Sequence, residues 1–202
     1  MTGYIDSIDD LRSHYAAPGE RTLKKQLARL DGHCRNFIQL SPFVVVATAN
    51  GAQLDASPRG GAPGFVKVVD DVTLWLPDSP GNNRLDTLAN IVASGRAGLL
   101  FLIPGVDETL RINGAARISV DPAKLAHFAT EKRTPRVVVE ITVEEAFLHC
   151  AKALMRSRLW ADEARQDRGV LPTMGQMLAD HIGDGTPVET QEQMIARYQR
   201  DL

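Results

Sequence analysis

The sequence predicts a mainly β, α+β fold: a barrel of antiparallel strands with helices flanking it. Short β-branched runs of strand length recur, such as Phe43-Val-Val-Val-Ala-Thr48 and Arg136-Val-Val-Val-Glu-Ile-Thr-Val143. Tight-turn signals, Asn50-Gly51 and Pro104-Gly105, join neighbouring runs as hairpins. Helical periodicity is found at both ends and at two places between strands, without the regular strand–helix alternation of a parallel sheet.

Taken in order, Ile5, Ile8, Leu11 and Tyr15 predict a short helix over residues 6–15 that ends before Pro18. From Glu20, the positions Leu23, Leu27, Leu30, Cys34, Phe37 and Ile38 predict one helix of about five turns, weakened at Gly32 by roughly 1 kcal/mol. Ser41-Pro42 breaks it. Strands follow at 43–48 and 54–57, and Pro58-Arg59-Gly60-Gly61 is expected to open the sheet, because proline has no ladder donor. Further strands are expected at 65–69 and 72–76. Asn82 or Asn83 is expected to cap a helix through Leu85, Leu88, Ile91 and Val92 that stops at Gly95.

The run Ala97-Gly-Leu-Leu-Phe-Leu-Ile103 suits a strand buried on both faces. Residues 109–120 return as a strand bulged at Gly114, and Asp121-Pro122 starts a short helix. The strand at 136–143 is the last, and helical patterns at 174–182 and 189–198 close the chain. That is six or seven strands in one expected domain, 1–202. It comprises N-terminal helices at 1–40, a barrel core at 41–160 and a helical extension at 161–202.

Bulk properties narrow the function. The chain is 44% hydrophobic and 24% charged, as expected of a soluble globular protein, and its net charge of −2 lacks the basic excess of a nucleic-acid or anionic-membrane binder. No apolar run reaches the roughly 18–20 residues of a membrane span, and the acidic N-terminus is unlike a signal peptide, so a cytoplasmic protein is expected. His33-Cys34 and His149-Cys150 lack the Cys-x-x-Cys spacing typical of zinc sites, and no metal is expected.

Arg59 and Lys67 lie in a Gly/Pro-rich stretch between apolar runs, and Arg84 follows an Asn82-Asn83 turn that opens a helix. Fixed cations with backbone N–H groups at a helix start suit a phosphate monoester, and hydroxyls at Ser57 and Thr109 are expected to add donors. Arg111 interrupts a strand expected to face the core, where a guanidinium needs a carboxylate or a ligand. Neither a Gly-x-Ser-x-Gly elbow nor a Gly-x-Gly-x-x-Gly or P-loop pattern occurs. A phosphate cradle without a nucleophile suggests a cofactor that brings its own reactivity.

Four motifs sharpen this reading: Asp55 to Gly60 (Asp-x-Ser-Pro-Arg-Gly), Pro80 to Thr87 (Pro-Gly-Asn-x-Arg-x-Asp-Thr), Phe101 to Gly114, and His149 to Lys152 (His-Cys-x-Lys). With them, residues from about Ser41 to Trp160 resemble the pyridoxamine 5′-phosphate oxidase-like, FMN-binding split-barrel flavoproteins. The resemblance implies a six-stranded antiparallel split barrel and a homodimer with FMN at the subunit interface. It also implies an FMN-dependent oxidoreductase acting on a small-molecule substrate, with NAD(P)H as a candidate donor. The FMN-binding residues it implies are Ser57, Arg59, Lys67, Asn82, Asn83, Arg84, Thr109, Arg111 and Trp160, with Arg111 and His149 as candidate catalytic groups. In the oxidase a glutamine stands where this chain has Thr109. The oxidase's C-terminal substrate signature, a second tryptophan and an Arg-Leu-x-Pro ending, is missing here, which argues against vitamin B6 oxidation. Alternatives of other kinds are a flavin- or haem-binding or redox-sensing module without turnover, and a deazaflavin-dependent reductase.

Overall fold

A computed structural model describes residues 3–79, 81–130, 134–183, 185 and 188–200. Helices α1 (Ile8–Ser13), α2 (Glu20–Lys24) and α3 (Gly32–Leu40) precede β1 (Phe43–Asn50), β2 (Gln53–Gly60), β3 (Lys67–Val68) and β4 (Thr73–Pro77). Then come α4 (Asp86–Ser94), β5 (Arg96–Leu102), β6 (Thr109–Ser119), α5 (Pro122–Ala126), β7 (Val138–His149), α6 (Lys152–Ser157), α7 (Met174–Ile182) and α8 (Gln191–Gln199). All described pairings are antiparallel, in the order β2-β1-β5-β6-β7-β4-β3. The sheet thus has seven strands rather than six, and the strand expected at 65–69 is reduced to the two-residue β3. No described helix is long and apolar enough to cross a membrane.

Strand alternation builds the core. Val44 and Val46 of β1 meet Phe101 and Leu99 of β5, which meet Leu110 and Ile112 of β6. All six are at most 1% exposed and join Leu74 and Leu76 of β4, Ile141 of β7, Cys34 and Ile38 of α3, and Ile91 of α4 in one cluster. Strands near both ends of the order share that cluster because the sheet curls round it, as barrel strands with one apolar face must. The run at 97–103 is buried on one face only: its even-numbered positions are half-exposed.

Other departures have local causes. The long second helix is two helices, since Asp31 caps α3 by accepting from the Cys34 N–H, and Leu27 exchanges backbone hydrogen bonds with Ala146. The sheet does not open at Pro58: β2 continues to Gly60, tolerated because β2 is an edge strand and proline's missing donor costs no ladder bond there. Neither Asn82 nor Asn83 caps α4; its N-cap is Leu85, left-handed at φ 61°, while Gly95 closes the helix at φ 67° as expected. The last strand extends to His149, well past Val143. Of the motif residues, Pro80 lies outside the described residues.

The expected bulge falls where β6 slips register between Asn113 and Gly114. A Cβ on Gly114 would lie 1.9 Å from the Thr142 carbonyl oxygen, a backbone atom in the adjacent strand that cannot swing away. Gly114→Ala is expected to destabilise the fold by ~3 kcal/mol or more in urea unfolding; a change under ~1 kcal/mol would show that the bulge is plastic.

Glu140 ties β7 to β4 and α5. Its carboxylate accepts from Lys124, from Trp75 Nε1 at 2.9 Å and from Arg117 Nη2 at 2.6 Å. Lys124 is the largest influence, and with Trp75 and Arg117 it holds the carboxyl down from 4.5 to about 2 against the opposing effect of burial. The folded value lies below the unfolded one, so the stabilisation is full above pH 4.5 and lost as the pH falls towards 2. For this 11% exposed side chain the loss is about 2–3 kcal/mol. Glu140→Gln should flatten the acid limb of stability against pH, measured as urea midpoints between pH 5 and 2; an unaltered limb would assign acid sensitivity elsewhere.

Candidate functional site

A cleft of about 590 Å³ opens where β2, the end of β4 and the start of α4 meet. It gathers five of the expected residues: Ser57 and Arg59 from β2, and Asn82, Asn83 and Arg84 from the loop before α4. Ser57 and Arg59 pair with Val46 and Val44, both buried, so all four side chains share the core-facing side of the sheet. Asn82 Oδ1 accepts from the Arg84 N–H at 3.0 Å, folding the loop, and Asn83 and Leu85 are both left-handed, at φ 59° and 61°. Two non-glycine residues in that region cost about 1–2 kcal/mol each, a strain that concentrates at ligand clamps.

Electrostatics in the cleft are mixed but mostly positive. Arg59 donates to Thr87 Oγ1 at 3.1 Å and to the Pro58 carbonyl at 2.9 Å. Arg84 is 74% exposed and held by Asp86 at 2.8 Å. Arg136, from the segment before β7, is a third guanidinium on the wall. Asp78 is the half-buried acid among them: burial pushes its carboxyl up, while Arg59 and Arg136 pull it back. An incoming anion meets three guanidinium groups, and among the described residues the walls carry no thiol and no histidine.

Lys67 is not in this cleft. From β3 its ammonium donates to the Gly64 carbonyl at 3.1 Å and lies 5.8 Å from the Phe128 ring.

Thr109, Arg111 and His149 form a second locus on the opposite face. Within β6, Leu110 and Ile112 point into the core, so Thr109 and Arg111 point outward, across from His149 and Phe147 of β7. Arg111 therefore does not face the core as the sequence suggested; it pairs with Glu145, its guanidinium carbon lies 5.1 Å from the Phe147 ring, and its Nε is buried with no hydrogen-bond partner. Lys25 covers the same ring at 4.1 Å. Burial first, then the charges of Arg111 and Lys25, push the His149 pKa down, which favours a neutral imidazole. Phe43, Val45, Leu100 and Leu102 extend this face as apolar, partly exposed side chains. Trp160 donates to the Val106 carbonyl at 2.9 Å, anchoring the segment after α6 on the β5–β6 turn.

Sequence reasoning missed Arg136, which carried no local signal because only the fold brings it beside Asp78. It named Asp55 as the start of a motif but gave it no role; on the same face of β2 as Ser57, its carboxylate accepts from Ser57 and Thr87.

A curled antiparallel sheet with flanking helices defines a split-barrel class of protein. Residues 30–150 match the pyridoxamine 5′-phosphate oxidase family, and the chain belongs to that family. A histidine-to-alanine variant of HupZ from Group A Streptococcus shares the fold: TM-score 0.50, 20% identity, 59% of this chain and 98% of that one. A candidate pyridoxamine 5′-phosphate oxidase from Lactobacillus delbrueckii gives TM-score 0.47 and 17% identity over 61% and 98% of the two chains. A FAD-binding protein from Mesorhizobium loti gives 0.40 and 14% over 60% and 97%. No curated protein matches the chain.

Proposed function

We propose that this protein is an FMN-dependent oxidoreductase that binds its flavin between two copies of the chain. The observation that carries the reading is the cleft with Arg59, Arg84 and Arg136, which offers a phosphate three guanidinium partners and, among the described residues, no thiol or histidine. Family membership supports a flavin as the owner of that phosphate. The residues fit it: the guanidinium groups suit a phosphate dianion, and the backbone at Asn82 and Asn83 can add N–H donors. Bound flavin would supply the two-electron chemistry, and the protein the binding, orientation and electrostatics.

The two loci support the dimer. The cleft and the Arg111 locus open on opposite faces of one sheet, so a single flavin reaches both only if a second copy presents its outer face. The apolar side chains around Leu100 suit that contact. In such an arrangement Arg111 would set a positive charge beside the flavin ring, and a neutral His149 could exchange a proton with solvent or substrate. Lys67 lies apart from the cleft and is not assigned to the phosphate.

Titration of the purified chain with FMN, monitored by fluorescence quenching, tests the binding. A deazaflavin in parallel separates the cofactors, and NADH or NADPH added anaerobically tests the redox role. We expect one FMN per chain and bleaching of its visible absorption by a nicotinamide donor. A chain that binds no FMN overturns the proposal; FMN binding without reduction by any donor reduces it to a carrier.

A further inference from the structure

We propose that Ser57 enters the cleft as a hydrogen-bond acceptor: it reads a hydroxyl of the ligand beside the anion, and leaves the phosphate to the guanidinium groups. This inverts the donor role expected of Ser57 from its motif, and it rests on reading the cleft as a polyol-phosphate, here flavin, site.

The argument is a count of protons around Asp55. Its carboxylate can only accept. Ser57 Oγ lies 2.8 and 3.1 Å from the two carboxylate oxygens, and Thr87 Oγ1 lies 2.5 Å from one of them. Each hydroxyl has one proton, and each gives it to Asp55. Thr87 also accepts from Arg59 at 3.1 Å and is 4% exposed, so its proton and one lone pair are committed and it serves to hold Arg59 in place. Ser57 has donated but accepts from no side chain among the described residues, and it lines the cleft; what it offers there is lone pairs. A phosphate oxygen is also an acceptor and would meet them unfavourably. Turning the hydroxyl towards the phosphate would take a donor from a half-buried carboxylate and leave two anions side by side. Asp55 also bears on Arg84 electrostatically, less than the adjacent Asp86 does.

The cleft therefore offers guanidinium donors at Arg59, Arg84 and Arg136 and an acceptor at Ser57. A ligand with an anion next to hydroxyl donors matches it: a sugar or polyol phosphate, which the ribityl phosphate of FMN is.

The test compares FMN with riboflavin, which keeps the ribityl hydroxyls and lacks the phosphate, on the full chain by fluorescence titration. Ser57→Ala should weaken both flavins together by about fivefold, leaving the ratio of their Kd values within about twofold of the original. Asp55→Asn should raise the FMN preference about tenfold, since the amide can donate to Ser57, frees its proton for the phosphate and removes a negative charge. The proposal is overturned if Ser57→Ala lowers the FMN preference or leaves both affinities unchanged, or if Asp55→Asn does not raise it. If the wild-type chain binds neither flavin, the functional reading fails by itself. Ribose 5-phosphate against inorganic phosphate then tests Ser57 by thermal shift: Ser57→Ala should weaken only the sugar phosphate, and equal weakening of both overturns the acceptor role.

Discussion

The Arg59→Ala/Arg84→Ala variant is expected to lose FMN affinity by about a thousandfold while binding riboflavin almost as the parent does. Each guanidinium–phosphate contact is a charge-assisted hydrogen bond worth about 1.5–3 kcal/mol, so two together reach about 3–6 kcal/mol. Both side chains lie at the sheet edge rather than in the core: Arg84 is 74% exposed, and Arg59 donates to Thr87 and to its own neighbour's carbonyl. The fold should survive, and the melting temperature should move by no more than a few degrees. Arg136 remains in the double variant and sets the residual phosphate preference. Equal losses for FMN and riboflavin would mean that the cleft has collapsed; no loss for either would place the flavin phosphate elsewhere.

What the sequence made legible follows the range of the interactions involved. The hairpin near Asn50-Gly51, the bulge at Gly114, the αL stop at Gly95 and the Asp121-Pro122 helix start are set by neighbouring residues, and all appear, the hairpin one residue on, with Gly51 and Ala52 in the turn and Asn50 paired in β1. Errors arose where tertiary contacts overrode local pattern. Leu27 fits the stripe of a long helix, yet a pair of backbone hydrogen bonds to Ala146 draws it into the sheet and divides that helix. Leu85 fits the apolar stripe of α4 but is held left-handed at its cap, a conformation that no propensity scale assigns to leucine. At the site, the motifs found Ser57, Arg59 and the Asn82–Arg84 loop. The direction of Arg111 depended on register, which the 109–120 stretch alone does not encode. Arg136 depended on a contact between segments more than fifty residues apart.

The orientation of Arg111 leads to the second large effect. If one flavin touches the cleft of one copy and the outer face of the other, Arg84 and Arg111 serve the same flavin from different chains. Arg84→Ala and Arg111→Ala homodimers should each bind FMN weakly, since every site in either is damaged. In a mixed dimer with one variant of each kind, one site combines the altered cleft with the altered outer face. The other site combines an intact cleft with an intact outer face. Co-expressed with two different affinity tags and purified through both, the mixed dimer should recover about half of the wild-type flavin content, with the wild-type Kd at that site. A site confined to one chain predicts the opposite, because each chain of the mixed dimer then carries one defect. Recovery no better than either parent, in a dimer intact by gel filtration, would return Arg111 to a structural role beside Glu145 and Phe147.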